Sequence, residues 1–239
     1  MNLRAQRLAA WTGPLLCLLF AIGLIGLAQF VPPPRADASL GDVVRLYSEH
    51  SDRLRAGLVL MMIGAGFVAS WGSAITTQLK RIEGTHSPMT WTNLACTGAN
   101  VMVVTIPVMV MIAASFRPDR NPEITQALND LAWIMFVMVF PPVMVQELAI
   151  AIAILGNSSQ TVYPRWVGYA NAWCALLLVP AVLLPFFKTG VFAWHGVFEF
   201  WLAGVVFFGW VIMMTVATLG AINRQSTDSP AHGTAPTPS

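Results

Sequence analysis

In the stretch "FVMVFPPVMVQELAIAIAILG", residues 136–156, an amide and a carboxylic acid, Gln146 and Glu147, interrupt an otherwise apolar run. An acid in such surroundings can carry a proton, hold the polar group of a ligand, or tie helices together through hydrogen bonds. Burying an ionisable group in lipid is costly, so a functional role is the first hypothesis. A second acid, Glu199, lies in "FAWHGVFEFW", one helical turn from His195. Arg53, Arg55 and Lys188 fall at the same boundary, so Glu199 is expected to join an ion pair with Arg55, Lys188 and His195. Other reactive sets are missing from the apolar runs. None of the four histidines lies in the middle of one, which argues against a di-iron site or bis-histidine haem. Lys80 and Lys188 stand at run edges, where neither suits a retinal Schiff base. Cys17, Cys96 and Cys174 are spaced neither as a metal site nor as a disulfide framework, and read as small apolar residues. No metal and no cofactor are expected.

These residues must be positioned by helices in a bilayer. The 239 residues are 56% hydrophobic and only 10% charged, against about 25% charged in an ordinary soluble domain. A span needs roughly 20 apolar residues as helix, and six runs are long enough: about 9–31, 56–78, 91–114, 131–155, 166–187 and 195–222. The alternating ten-residue segments of a membrane β-barrel are absent. The fold class is therefore all-α, a polytopic integral membrane bundle of six transmembrane helices over residues 1–222. Residues 223–239, rich in Ser, Thr and Pro, are expected to form a disordered cytoplasmic tail. The first run is longer than the apolar core of a signal peptide and is expected to be retained. A net charge of +2 points to no nucleic-acid partner.

Arg4, Arg7 and the adjacent Lys80-Arg81 pair favour cytoplasmic N- and C-termini in the cell membrane. The longest connection, 32–57, opens with three prolines that stop the first helix. Ser39 then has the character of an N-cap, and Leu40, Val43, Val44 and Tyr47 recur at helical spacing, so a short amphipathic helix is expected outside the bilayer. Most tryptophans near span ends read as interfacial anchors. Placed by depth, Ser73 in the second span, Thr97 and Asn100 in the third, Gln146 and Glu147 in the fourth and Asn171 in the fifth share one level. The other halves of the third and fifth spans are nearly pure hydrocarbon. A polar chamber facing the cytoplasm, with these six residues as its binding groups, is the expectation. Pro141 and Pro142 should kink the fourth helix just before Glu147.

The stretches "FRPDRNPEITQALNDLAW", "YPRWVGYANAW" and "PFFKTGVFAWHG" resemble a group of uncharacterised six-span bacterial inner-membrane proteins, and the resemblance runs from Trp11 to Ile222. It implies the six-span topology and assigns no activity and no functional residue. Three readings of function remain. The first is binding or transport of a small lipophilic molecule. The second is an accessory subunit, partnered by other membrane subunits or by a second copy of the chain. The third is a membrane-embedded enzyme, against which the missing nucleophile and metal sets weigh. The lipid bilayer is the partner common to all three.

Overall fold

Proline and polar caps set where the helices begin. In this computed structural model, which describes residues 2–117, 119–138, 140–157 and 162–228, helix α1 (Leu3–Phe20) starts at Asn2, whose Oδ1 accepts from the Ala5 amide at 3.1 Å. It continues as a π-helical segment, Ala21–Leu27, in which the Ala28 amide reaches back five residues to the Gly23 carbonyl at 2.8 Å. Helix α2 (Leu40–Ser48) is capped by Ser39, which accepts from the Asp42 amide and donates to its carboxylate. The expected short amphipathic helix is therefore present. Its Val43 and Tyr47 are buried, and Tyr47 donates to Asn129 Oδ1 at 3.1 Å.

Helix α3 (Ser51–Glu83) crosses in the opposite sense and ends at Gly84, where φ is +69°. Helix α4 (Pro88–Phe116) has proline in its first turn, where the missing N–H costs nothing. Glu83 covers its next amides, accepting from Met89 N at 3.2 Å and Thr90 N at 2.6 Å. Helix α5 (Pro122–Val137) and helix α6 (Phe140–Leu155) together form the fourth span. Where a kink is expected at Pro141 and Pro142, α5 ends at Val137 and α6 is described from Phe140, with the two prolines at its start and residue 139 outside the described residues. Helix α7 (Arg165–Leu177) passes into a 3₁₀ stretch, Val179–Phe186. The last span opens as a π-helical segment, Val197–Leu202, and continues as helix α8 (Ala203–Asp228). Residues 223–228, assigned to the tail by composition, are thus the end of a helix, and 229–239 lie outside the described residues.

The protein is all-helical, and six of its helical segments are long and apolar enough to cross a membrane. It is an integral membrane protein of multi-pass type. Arg7, near the start of the first span, donates to Asn223, near the end of the last; the side of the bundle they share is called here the terminal side, and α2 and the connection at 188–196 lie on the far side. Large apolar residues such as Leu8, Trp11, Ile63 and Val216 are exposed around the outside, as a lipid-facing surface requires.

Small residues allow the closest approaches. A Cβ on Gly57 would lie 2.6 Å from the Gly23 carbonyl oxygen, and one on Gly23 would lie as near the Gly57 carbonyl. The first two spans therefore meet backbone to backbone, the arrangement that small residues permit in membranes. Gly13 likewise makes room for Trp71 and Thr215, and Gly72 for Thr97. Not all tryptophans behave as interfacial anchors. Trp11, Trp91 and Trp166 are exposed near span ends, but Trp133 is wholly buried against Phe30 (ring centroids 5.3 Å), and Trp194 is buried with its Nε1 donating to the Pro34 carbonyl at 2.8 Å.

Candidate functional site: a polar layer beneath an apolar cavity

Asn93, Thr97 and Asn100 recur at helical spacing on one face of α4, and all three are buried. Gln146 of α6 inserts between them. Its Nε2 donates to Asn93 Oδ1 and to Thr97 Oγ1, both at 3.0 Å, and its Oε1 accepts from Asn100 Nδ2 at 2.6 Å. Asn93 Nδ2 in turn donates to Thr76 Oγ1 of α3 at 2.8 Å. Three spans are stapled together at this level. The Thr97 hydroxyl donates to the Asn93 carbonyl at 2.8 Å and accepts from Gln146 Nε2 at 3.0 Å. The Gln146 carbonyl is turned toward Asn100, which answers with its NH₂. Asn100 Oδ1 is left without a partner.

Asn171 joins a different contact at similar depth. Its Oδ1 accepts from Trp210 Nε1 at 2.8 Å, and its Nδ2 donates to the Val167 carbonyl at 2.8 Å. The Trp210 ring packs edge-on against Trp71, centroids 5.0 Å apart, and Trp71 donates to Thr215 Oγ1 at 3.0 Å. Ser73 belongs to neither group. It is exposed on the outside of the bundle and its hydroxyl returns to the Ala69 carbonyl at 2.7 Å, the usual way for a serine to satisfy itself within a helix. The structure thus unites Gln146, Asn100 and Thr97 and separates them from Asn171 and Ser73. Asn93, Thr97 and Gln146 are committed to one another, to Thr76, to Asn100 or to backbone.

Glu147 follows Gln146 by one residue, a rotation of roughly 100° about the helix. It is completely buried, and neither carboxyl oxygen has a hydrogen-bond partner. Cys174 of α7 lies within electrostatic reach.

The open space lies on the other side of the layer. A cavity of about 400 Å³ occupies the far half of the bundle, bounded by all six spans. Its floor includes Asn100, Val68 and Val143; Phe136, Phe200 and Phe208 are among the aromatic rings of its walls. Among the described residues of its lining, Asn100 and Glu199 bring an amide and a carboxyl. Glu199 is 1% exposed and Asn100 4%, yet both Glu199 oxygens and Asn100 Oδ1 lack partners. Glu147 is not among the lining residues. At the rim, Ile25, Trp201 and Val205 are exposed on the outside of the bundle, Val205 at 72%. These residues belong to the first and last spans, whose walls here are the two π-helical segments and the first turn of α8.

The ion pair expected around Glu199 does not form. His195 Nδ1 accepts from the Ala36 amide at 3.1 Å, Arg55 lies 3.5 Å from Asp52 and donates to Ser51, and Lys188 is exposed. The reason is geometric: Glu199 points into the bundle, whereas the cations stay at the wet boundary. The loop between the first two spans is instead fastened through His195 and Trp194. Beside it, Arg35 holds Asp37 at 2.8 Å and lowers its carboxyl below the ordinary range. Burial, assisted by Arg35, lowers His195 as well.

The aromatic and aliphatic lining was not legible as a site. In a chain this apolar, Phe136 or Val104 facing a cavity looks the same as Phe186 facing lipid. The one available sign was Glu199, an acid one turn inside an apolar span.

Fold and site together define a multi-pass integral membrane protein with an apolar internal cavity carrying two uncommitted polar groups. No family model, no curated protein and no solved structure matches the chain, so the resemblance to six-span bacterial proteins identifies no relative, and the six-helix architecture is the part that stands.

Proposed function

We propose that the protein binds a small lipophilic molecule in the far-half cavity and that the molecule enters from the bilayer. The observation that carries this reading is the cavity itself. At about 400 Å³ it falls within the size range of small-molecule sites, and its mainly apolar walls with a few placed polar groups have the make-up of one. Lateral entry is supported by the rim, where lipid-exposed Ile25, Trp201 and Val205 are continuous with buried lining such as Leu178 and Ala181. π-Helical turns are rare and recur at functional sites; both flank this opening. Under this reading the polar layer is a structural floor, and the loop fastened by His195 and Trp194 covers the far side.

Gly204 offers the test. It lines the cavity, and a Cβ there would meet nothing within 4 Å, so a large side chain can enter without displacing backbone. Gly204→Trp should fold, keep its thermal stability to within a few degrees, and lose binding of a naphthalene probe, measured by equilibrium partition between protein-loaded and empty lipid nanodiscs. Equal excess partition into parent and variant discs would refute the site.

A further inference from the structure

Both polar side chains of the cavity can accept a hydrogen bond, and this bears on the chemistry of the occupant. Asn100 has its NH₂ turned to Gln146, whose Oε1 accepts from it at 2.6 Å. Thr97 donates to a backbone carbonyl and accepts from Gln146 in the same cluster. What Asn100 brings to the cavity floor is Oδ1, an acceptor without a partner. Glu199, in the π-helical opening of the last span, offers two unpartnered carboxyl oxygens, at least one of which accepts in either protonation state. No buried donor in the described part of the cavity wall answers these groups. A purely hydrocarbon occupant would leave all of them unsatisfied in apolar surroundings, which is unfavourable. A ligand with only acceptors, such as an ether, fares little better at Asn100.

We infer that the cavity selects a lipid-soluble hydroxyl compound, a phenol or alcohol with an apolar ring body, whose O–H donates to Asn100 Oδ1 or to the Glu199 carboxyl. This rests on the reading that the cavity binds a lipophilic molecule and adds the donor requirement. The aromatic walls provide stacking and edge contacts for a flat ring. The lateral rim gives a path by which such a molecule, already dissolved in the bilayer, reaches the acceptors without crossing water.

The test compares 2-naphthol with 2-methoxynaphthalene, the same ring with the donor removed, by partition into protein-loaded against empty nanodiscs. After correction for the empty discs, the naphthol should bind the protein about tenfold more tightly, the discrimination expected of roughly one well-made buried hydrogen bond. Glu199→Leu should reduce this preference, whereas Glu199→Gln, which keeps an acceptor, should retain it. Equal binding of both probes, abolished by Gly204→Trp, would overturn the donor requirement while leaving the cavity site intact. Excess binding of neither probe would sink both. A preference undiminished in Glu199→Leu would remove Glu199 from the site.

Discussion

Gln146 uses both amide hydrogens and its carbonyl in bonds to Asn93, Thr97 and Asn100, whereas its neighbour Glu147 is as deeply buried and makes none. Sequence depth alone could not separate them, because both lie in one apolar run and rotation about the helix decides what each meets. The same limit applies to Ser73, which shares the level of Gln146 but faces outward. Depth was legible from residue number; facing was not, because the run around Gln146 is apolar on every side. An unpartnered buried acid costs more than an apolar side chain of similar size, by about 1–3 kcal/mol. Glu147→Leu is therefore expected to melt at the same temperature as the parent or a few degrees higher in detergent. It should also leave naphthalene binding unchanged, since Glu147 does not line the cavity. A drop in melting temperature would show that the carboxyl holds helices together through contacts the packing does not reveal.

Among elements, α2 is the one best anticipated: a serine cap followed by Leu40, Val43, Val44 and Tyr47 at helical spacing specifies a short amphipathic helix without tertiary information. The end of α5 at Val137, ahead of the two prolines, was half anticipated. Two adjacent prolines predict a disturbance, but whether the chain kinks or restarts depends on whether neighbours support a new first turn. The contact of the first two spans at Gly23 and Gly57 was not anticipated, since glycines are scattered through every span. Because the obstacle to a side chain at 57 is backbone, Gly57→Leu should destabilise by about 1–3 kcal/mol, seen as a lower melting temperature. Gly66→Leu, with nothing within 4 Å of its Cβ, should melt like the parent.

The fastening of the 32–37 segment depends on neutral His195, whose Nδ1 accepts from the Ala36 amide. Folding lowers the imidazole from its ordinary 6.5, mainly by burial and next by Arg35, with Asp37 opposing. A group lowered on folding contributes its stability above the unfolded value and loses it as pH falls through the folded one. The parent should therefore melt progressively lower below about pH 6.5 relative to His195→Asn, which cannot take a proton; parallel curves from pH 8 to 5 would contradict the role given to this contact.

At the scale of the whole molecule, the six-span count was legible because apolar length is a property of composition, while the cavity was not, because its walls share that composition. We propose that the terminal side is cytoplasmic, on the strength of Arg4, Arg7, Lys80 and Arg81. Reporter fusions at residue 45 and at residue 228 should read opposite sides of the membrane, the latter inside. An outside reading at 228 would reverse the bundle, and the same side for both would break the six-span topology.

The first and last spans are neighbours: α1 packs along α8, and Arg7 donates to Asn223 at 3.1 Å across their ends. In biosynthesis this is a matter of waiting. The first helix enters the bilayer early, yet its partner emerges only after some 170 intervening residues, roughly ten seconds or more at bacterial or eukaryotic synthesis rates of about 5–20 residues per second. Until then the gap that later becomes the rim stands fully open, and Gly13, whose small size serves Trp71 and Thr215, has only half of its eventual surroundings.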